Sequence, residues 1–158
     1  MGSFLGAKTE AGRLKTLQKQ YQFQSMILNA KRESITAKMT GRQAQCDIVK
    51  NKIDKWNNTA ADKRATLYAN DKWYQNNGIS GSNTSATIDD TTKIKGVTAN
   101  YTLDAQYVAY QAEDNYIDTR IENLDSMLSL LDTQIKNTEE LEKNGVQDGS
   151  WWCVGGGS

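Results

Sequence analysis

The apolar positions of this chain fall into heptad rows, and the clearest row occupies its last third. Leu103, Tyr107, Tyr110, Asp114, Ile117, Ile121, Leu124, Leu128, Leu131, Ile135 and Thr138 follow one another at alternating spacings of four and three. An α-helix turns once in 3.6 residues, so this alternation keeps a narrow stripe on one partner, as the a/d seam of a coiled coil does. The row predicts an acidic coiled-coil helix over 101–145. Thr102 is the expected cap, Asp104 lies in its first turn, and Lys143 with Asn144 and Gly145 closes it. Asp114 is the charged residue within the row. One polar core position commonly fixes register or strand number, and that role is expected of Asp114.

A second row runs through residues 1–75, which are expected to form a long basic helical arm. Its members are Ile35, Met39, Arg42, Cys46, Val49, Ile53, Trp56, Ala60, Lys63, Leu67, Asn70 and Tyr74. Upstream, Leu14, Leu17, Tyr21, Gln24 and Leu28 keep the same rhythm in another phase, with the shift falling between Ile35 and Gly41. A phase change of this kind implies altered supercoiling or a new packing partner.

Between the arms, residues 76–100 are dense in Gly, Asn, Ser and Thr, which favour turns over helix. This polar connector is expected at the surface. A short β-hairpin is possible within it, with Thr87–Ile88 and Lys93–Ile94–Lys95 as strands around Asp89–Asp90. The fold class is therefore all-α: a long antiparallel helical hairpin, or coiled coil, with a polar connector. Residues 146–158 form a tail carrying Trp151, Trp152 and Cys153.

Charge reinforces the hairpin. Residues 1–75 carry a net +8 and residues 101–158 a net −8, within a chain whose total is zero. Arms of opposite sign attract at close range, so each is the natural partner of the other. Their lengths appear unequal. With Tyr74 opposite Leu103, equal rise places Asn144 near residue 33, and residues 8–32 overshoot. The overshoot contains Leu14, Leu17, Tyr21, Phe23, Met26, Ile27 and Leu28 on more than one face, an apolar surface expected to mediate assembly with help from Trp151 and Trp152.

Composition removes several function classes. The chain has no proline, which lets long helices run unbroken, and no histidine, the usual general base and metal ligand near neutral pH. There is no phosphate-binding glycine loop, zinc-type cysteine spacing or nucleophile elbow, so neither an enzyme nor a cofactor is expected. Cys46 falls on the apolar row and reads as a small hydrophobe. The basic arm is matched by the acidic one and lacks a stacking platform, so nucleic acid is not an expected partner. No segment reads as a membrane span or a cleavable secretory signal.

Long terminal heptad arms around a Gly/Asn/Ser/Thr-rich middle, without a cleavable signal, resemble the helical-hairpin filament subunits exported by flagellar and type III secretion systems. The resemblance is one of architecture. Cys46 and the Trp151–Trp152–Cys153 tail depart from it. It implies a homopolymeric bacterial filament or surface appendage, delivered outside the cell by a signal-independent route, with a secretion apparatus or chaperone as further partner. A soluble coiled-coil adaptor, chaperone or phage structural component, cytoplasmic in location, is the alternative reading.

Overall fold

A computed structural model describes residues 2–147 of the 158-residue chain. The fold is a long antiparallel helical hairpin whose connector contains a small two-stranded β-hairpin. Helix α1 runs Gly2–Asn58, and short helices α2 (Arg64–Asn70) and α3 (Lys72–Asn76) follow it. Strands β1 (Lys93–Ile94) and β2 (Val97–Thr98) precede α4, Ala105–Gln147. The described residues divide into two compact units: residues 2–33 with 116–147, and residues 34–115.

The seam of α4 lies where the heptad row places it. Ile117, Ile121, Leu124, Leu131 and Ile135 are buried, while Tyr107, Tyr110, Asp114, Leu128 and Thr138 are half-buried. Leu103 is the exception. It sits in a 3₁₀ turn, Tyr101–Leu103, and is 64% exposed. The adjacent Asp104 takes the seam position, and the helix begins one residue later. Thr102 is therefore not its cap.

On α1 the observed seam is one continuous row: Ala11, Leu14, Gln18, Tyr21, Ser25, Leu28, Arg32, Ile35, Met39, Arg42, Cys46, Val49, Ile53 and Trp56 are all buried or half-buried. The expected phase shift is absent. Gln18, Ser25 and Arg32 hold seam positions that hydrophobicity alone does not mark.

The helical arm expected over 1–75 ends at Asn58. Its last carbonyls are capped by Arg64, which donates from Nε to the Trp56 carbonyl (3.0 Å) and from Nη2 to that of Asn57 (3.4 Å). A cation at the negative end of a helix satisfies acceptors that have no partner within it. Residues 59–76 thus leave the axis of α1, and Leu67 lies half-buried on α2 instead of continuing the seam.

This break corrects the register. Within the first unit Lys15 pairs with Glu139 and Arg32 with Asp118, so the C-terminal helix reaches much further along α1 than a count from Tyr74 allows. Leu14 packs with Leu131 and Ile135, and Leu17 and Tyr21 cover them. Residues 8–32 are therefore not an unpartnered overhang.

The β-hairpin also differs in place. Its pairs are Lys93 with Thr98 and Ile94 with Val97, around Lys95–Gly96 and not around Asp89–Asp90. Both turn residues have positive φ, 49° and 79°, the conformation that two-residue hairpin turns matching strand twist require.

Candidate functional site: a packed unit and an exposed helical surface

In the second unit, residues 34–115, connector and helices form a small core. Val49 and Ile53 of α1 bury Ile94 and Ala99, with Trp73, Ile79, Ile88 and Val97 packed around them. Ring contacts extend it: Tyr74 lies 5.2 Å from Trp56 and 5.2 Å from Trp73, edge-on to the latter. Each polar atom buried with these rings is bonded. Trp56 Nε1 donates to the Ala86 carbonyl (2.8 Å) and Tyr74 Oη to that of Lys52 (2.7 Å). Burial, with Asp71 nearby, pushes the Tyr74 hydroxyl up to about 12. Asn57 clamps the connector at Ile88, donating to its carbonyl and accepting from its N–H, both at 2.8 Å. The connector is thus folded onto α1 through these residues.

Asp104 is an ionisable group held entirely inside this unit. Its side chain is fully buried and accepts four hydrogen bonds: Arg42 Nε to Oδ1 (2.7 Å), Arg42 Nη2 to Oδ2 (2.9 Å), the Thr98 N–H (3.1 Å) and the Tyr107 N–H (3.0 Å). The last of these makes it the N-cap of α4. The Arg42 guanidinium, joined by the two backbone donors, holds the carboxyl far below the usual aspartate range. Arg42 also donates to the Gly96 carbonyl at 2.9 Å, so one ion pair joins α1, the β-turn and the start of α4. Cys46 is buried in the same unit, and burial, aided by the Asp104 carboxylate, pushes its thiol up. This network carries no open catalytic geometry, since every acceptor of the acid is directed at a structural donor.

Asp104 stands in the sequence as an acidic residue at the start of the heptad row, expected in the first turn behind a Thr102 cap; the structure makes it the cap itself. Asp114, expected to fix register, is half-buried at its predicted seam position.

The first unit presents the candidate interaction surface. Of the residues expected to mediate assembly, Leu14 is buried, and Leu17, Tyr21 and Leu28 are half-buried. Phe23 and Met26 are 58% and 60% exposed, and Ile27 is exposed beside them. Helix α4 adds exposed Tyr116, Met127, Leu130 and Leu141, which lie outside the heptad row. Their spacings of 11, 3 and 11 place them on one face, a signal that was legible but masked by the stronger seam beside it. Trp151 and Trp152 lie outside the described residues.

Among the described residues no group of three Asp, Glu or Cys stands together to hold a metal ion, and no helix is long and apolar enough to cross a membrane. Comparison with protein families, with curated proteins and with solved structures finds no match for this chain.

Proposed function

We propose that this chain is a structural, non-catalytic protein that assembles with copies of itself into a helical filament or surface appendage. The observation that carries this reading is the exposed apolar surface of the first unit, borne by α1 at Phe23, Met26 and Ile27 and by α4 at Tyr116, Met127, Leu130 and Leu141. Large side chains grouped along helices and left in water mark contact surfaces or aggregation liabilities. Two such patches on one subunit suit contacts that repeat without closing.

A second reading is a soluble coiled-coil adaptor, chaperone or phage structural component. It is favoured by the packing of Leu14, Leu17 and Tyr21 against Leu131 and Ile135, which removes part of the surface expected for assembly. Electron microscopy of the full chain at rising concentration separates the two. Fibres that disappear in Phe23→Asp with Met26→Asp, while helical circular dichroism persists, support the filament. A single species of fixed mass at every concentration sinks it in favour of the adaptor.

A further inference from the structure

The two flanks of the first unit differ in charge. On one flank of the seam, α1 and α4 are joined by ion pairs, Lys15 to Glu139 at 2.7 Å and Arg32 to Asp118. The α4 members belong to one row, Asp118, Asp125, Asp132 and Glu139, set seven residues apart and so stacked along one side of the helix. The other carboxylates of α4 between Tyr116 and Leu141, Glu122 and Glu140, lie further round that side, away from the seam. The opposite flank holds a groove with a cavity of about 240 Å³, lined by Tyr21 and Gln24 of α1 and by Arg120, Asn123, Leu124 and Met127 of α4. Two seven-residue rows build its α4 wall: Tyr116, Asn123, Leu130 and Asn137, and beside them Arg120, Met127, Gln134 and Leu141. Neither row contains a carboxylate.

The α1 wall is alike. Gln24 shares a seven-residue row with Leu17 and Lys31, and α1 has no Asp or Glu from Ala11 to Arg32. Arg13, on the same side, is paired with Glu10 and adds no net charge. Arg120 and Lys31 are exposed, and no ion pair among the described residues includes either of them. The Arg120 guanidinium lies 5.8 Å from the Tyr116 ring centroid and donates to the Tyr116 hydroxyl at 3.3 Å, which holds it on the wall and leaves its charge in place. The pairing of Arg32 with Asp118 brings Lys31 close to the level of Arg120 on the facing wall. The groove is thus an apolar trough whose uncompensated charges are all positive.

We propose that this groove binds an acidic amphipathic helix of a partner protein, its apolar stripe laid on Tyr21, Leu124, Met127 and Leu130 and its carboxylates on Arg120 and Lys31. Charge selects this occupant. A carboxylate accepts two parallel hydrogen bonds from a guanidinium such as that of Arg120, whereas a basic helix meets two cations and no acid. On a second copy of the chain the two requirements fall apart: the acidic flank of α4 carries no apolar side chain between Tyr116 and Leu141, and the apolar patch at Phe23, Met26 and Ile27 stands on the basic helix α1. An anionic bilayer offers the charge without a convex ridge to fill a trough between two helices. Length agrees, since Tyr116 to Asn137 spans roughly 32 Å, about six turns of a bound helix.

This inference goes beyond self-assembly, since it concerns one chain and one partner helix. The probe is a labelled synthetic peptide of about 22 residues, long enough for six turns, with Leu at alternating third and fourth positions and Glu on both sides of that stripe. It is titrated with the full chain, followed by fluorescence anisotropy, while circular dichroism checks that each variant keeps its helix content. Binding should saturate, and Arg120→Glu, Lys31→Glu or a rise from about 50 to 300 mM salt should each weaken it about tenfold. Met127→Ser should weaken it as well, because the floor loses apolar area. Lys136→Glu makes the same change of charge on the ion-pair flank and should leave the affinity within about twofold of the wild type. Absence of binding, equal binding of a peptide with Lys in place of Glu, or a Lys136→Glu loss as large as that of Arg120→Glu overturns the proposal. So does Arg120-dependent adsorption to phosphatidylglycerol vesicles that displaces the peptide, which identifies a lipid surface as the occupant. Peptide binding that falls as the chain dimerises on concentration identifies a second copy and overturns it too.

Discussion

The two units both hold α1 against α4, and they do so with different chemistry. Among the described residues the five largest fully buried side chains, Trp56, Tyr74, Ile53, Asp104 and Cys46, all belong to residues 34–115. There the connector supplies a third wall, and the ion pair is taken out of water. In residues 2–33 with 116–147 only two helices are present. A two-helix seam buries one stripe per helix, and here its α1 side includes Gln18, Ser25 and Arg32. The ion pairs of that unit stay wet, with the Arg32 and Asp118 side chains each 41% exposed. One continuous helix is thus locked into a core over one stretch and keeps large apolar side chains, Phe23 and Met26, in water over another.

The largest expected effect therefore lies at Asp104. Asp104→Ala leaves the Arg42 guanidinium, 12% exposed, without its partner and removes the cap of α4. Breaking such a buried pair typically costs about 3–5 kcal/mol. Chemical denaturation followed by circular dichroism should report a loss in that range. The pH dependence has a definite sign. The folded carboxyl lies below the unfolded value of about 3.9, so its stabilisation is complete above that pH and is lost as pH falls below it. Asp104→Asn should flatten the acid limb of the stability curve. An Asp104→Ala protein as stable as the wild type would erase the distinction between the units.

Next in size is the β-turn of the same unit. Gly96 has φ +79° with open space around its missing Cβ, so the obstacle to a side chain is the backbone alone. Gly96→Val should cost about 1–2 kcal/mol from left-handed strain, and Gly96→Asn distinctly less, since asparagine tolerates that region. Equal losses for the two would point to packing, not backbone, as the cause.

Much of this architecture was legible because α4 is patterned throughout: every row member from Tyr107 to Thr138 is buried or half-buried. The helix α1 was harder to read. Its true seam passes through Gln18, Ser25 and Arg32, which hydrophobicity does not reveal, while the conspicuous row diverges from it at Leu17, half-buried, and Gln24, exposed. The end of α1 was missed because its strongest cause is nonlocal: Arg64, six residues beyond Asn58, reaches back to cap the last turn and also donates to the Ser85 carbonyl at 2.6 Å. That break shifted the expected pairing of the arms and created the appearance of an overhang. Asp104 was noticed as a first-turn acid, but its burial depends on Arg42 and on the Thr98 backbone, which only the folded connector brings together.

The polar seam of the first unit offers an effect of the opposite sign. Ser25 is half-buried between Tyr21 and Leu28 on the seam row, and its side chain accepts a long contact, 3.4 Å, from Asn29 Nδ2. Ser25→Leu should gain about 1 kcal/mol by adding buried apolar area, measured as a raised denaturation midpoint with an unchanged slope. A loss instead would mean that the seam has no room there, and that this unit is as tightly packed as the other.

The smallest expected effect is at Asp118, the counterpart of Asp104 in the first unit. Removing one member of a half-exposed ion pair leaves a cation that water can solvate, so Asp118→Ala should cost less than about 1 kcal/mol. Salt should shrink even that loss, because screening acts on charges it can reach. The comparison breaks if Asp118→Ala proves as damaging as Asp104→Ala in both low and high salt. That outcome would show that Arg32, on the α1 seam, requires its counter-charge as strictly as Arg42 does. The wet appearance of the pair would then misrepresent how deeply the first unit depends on it.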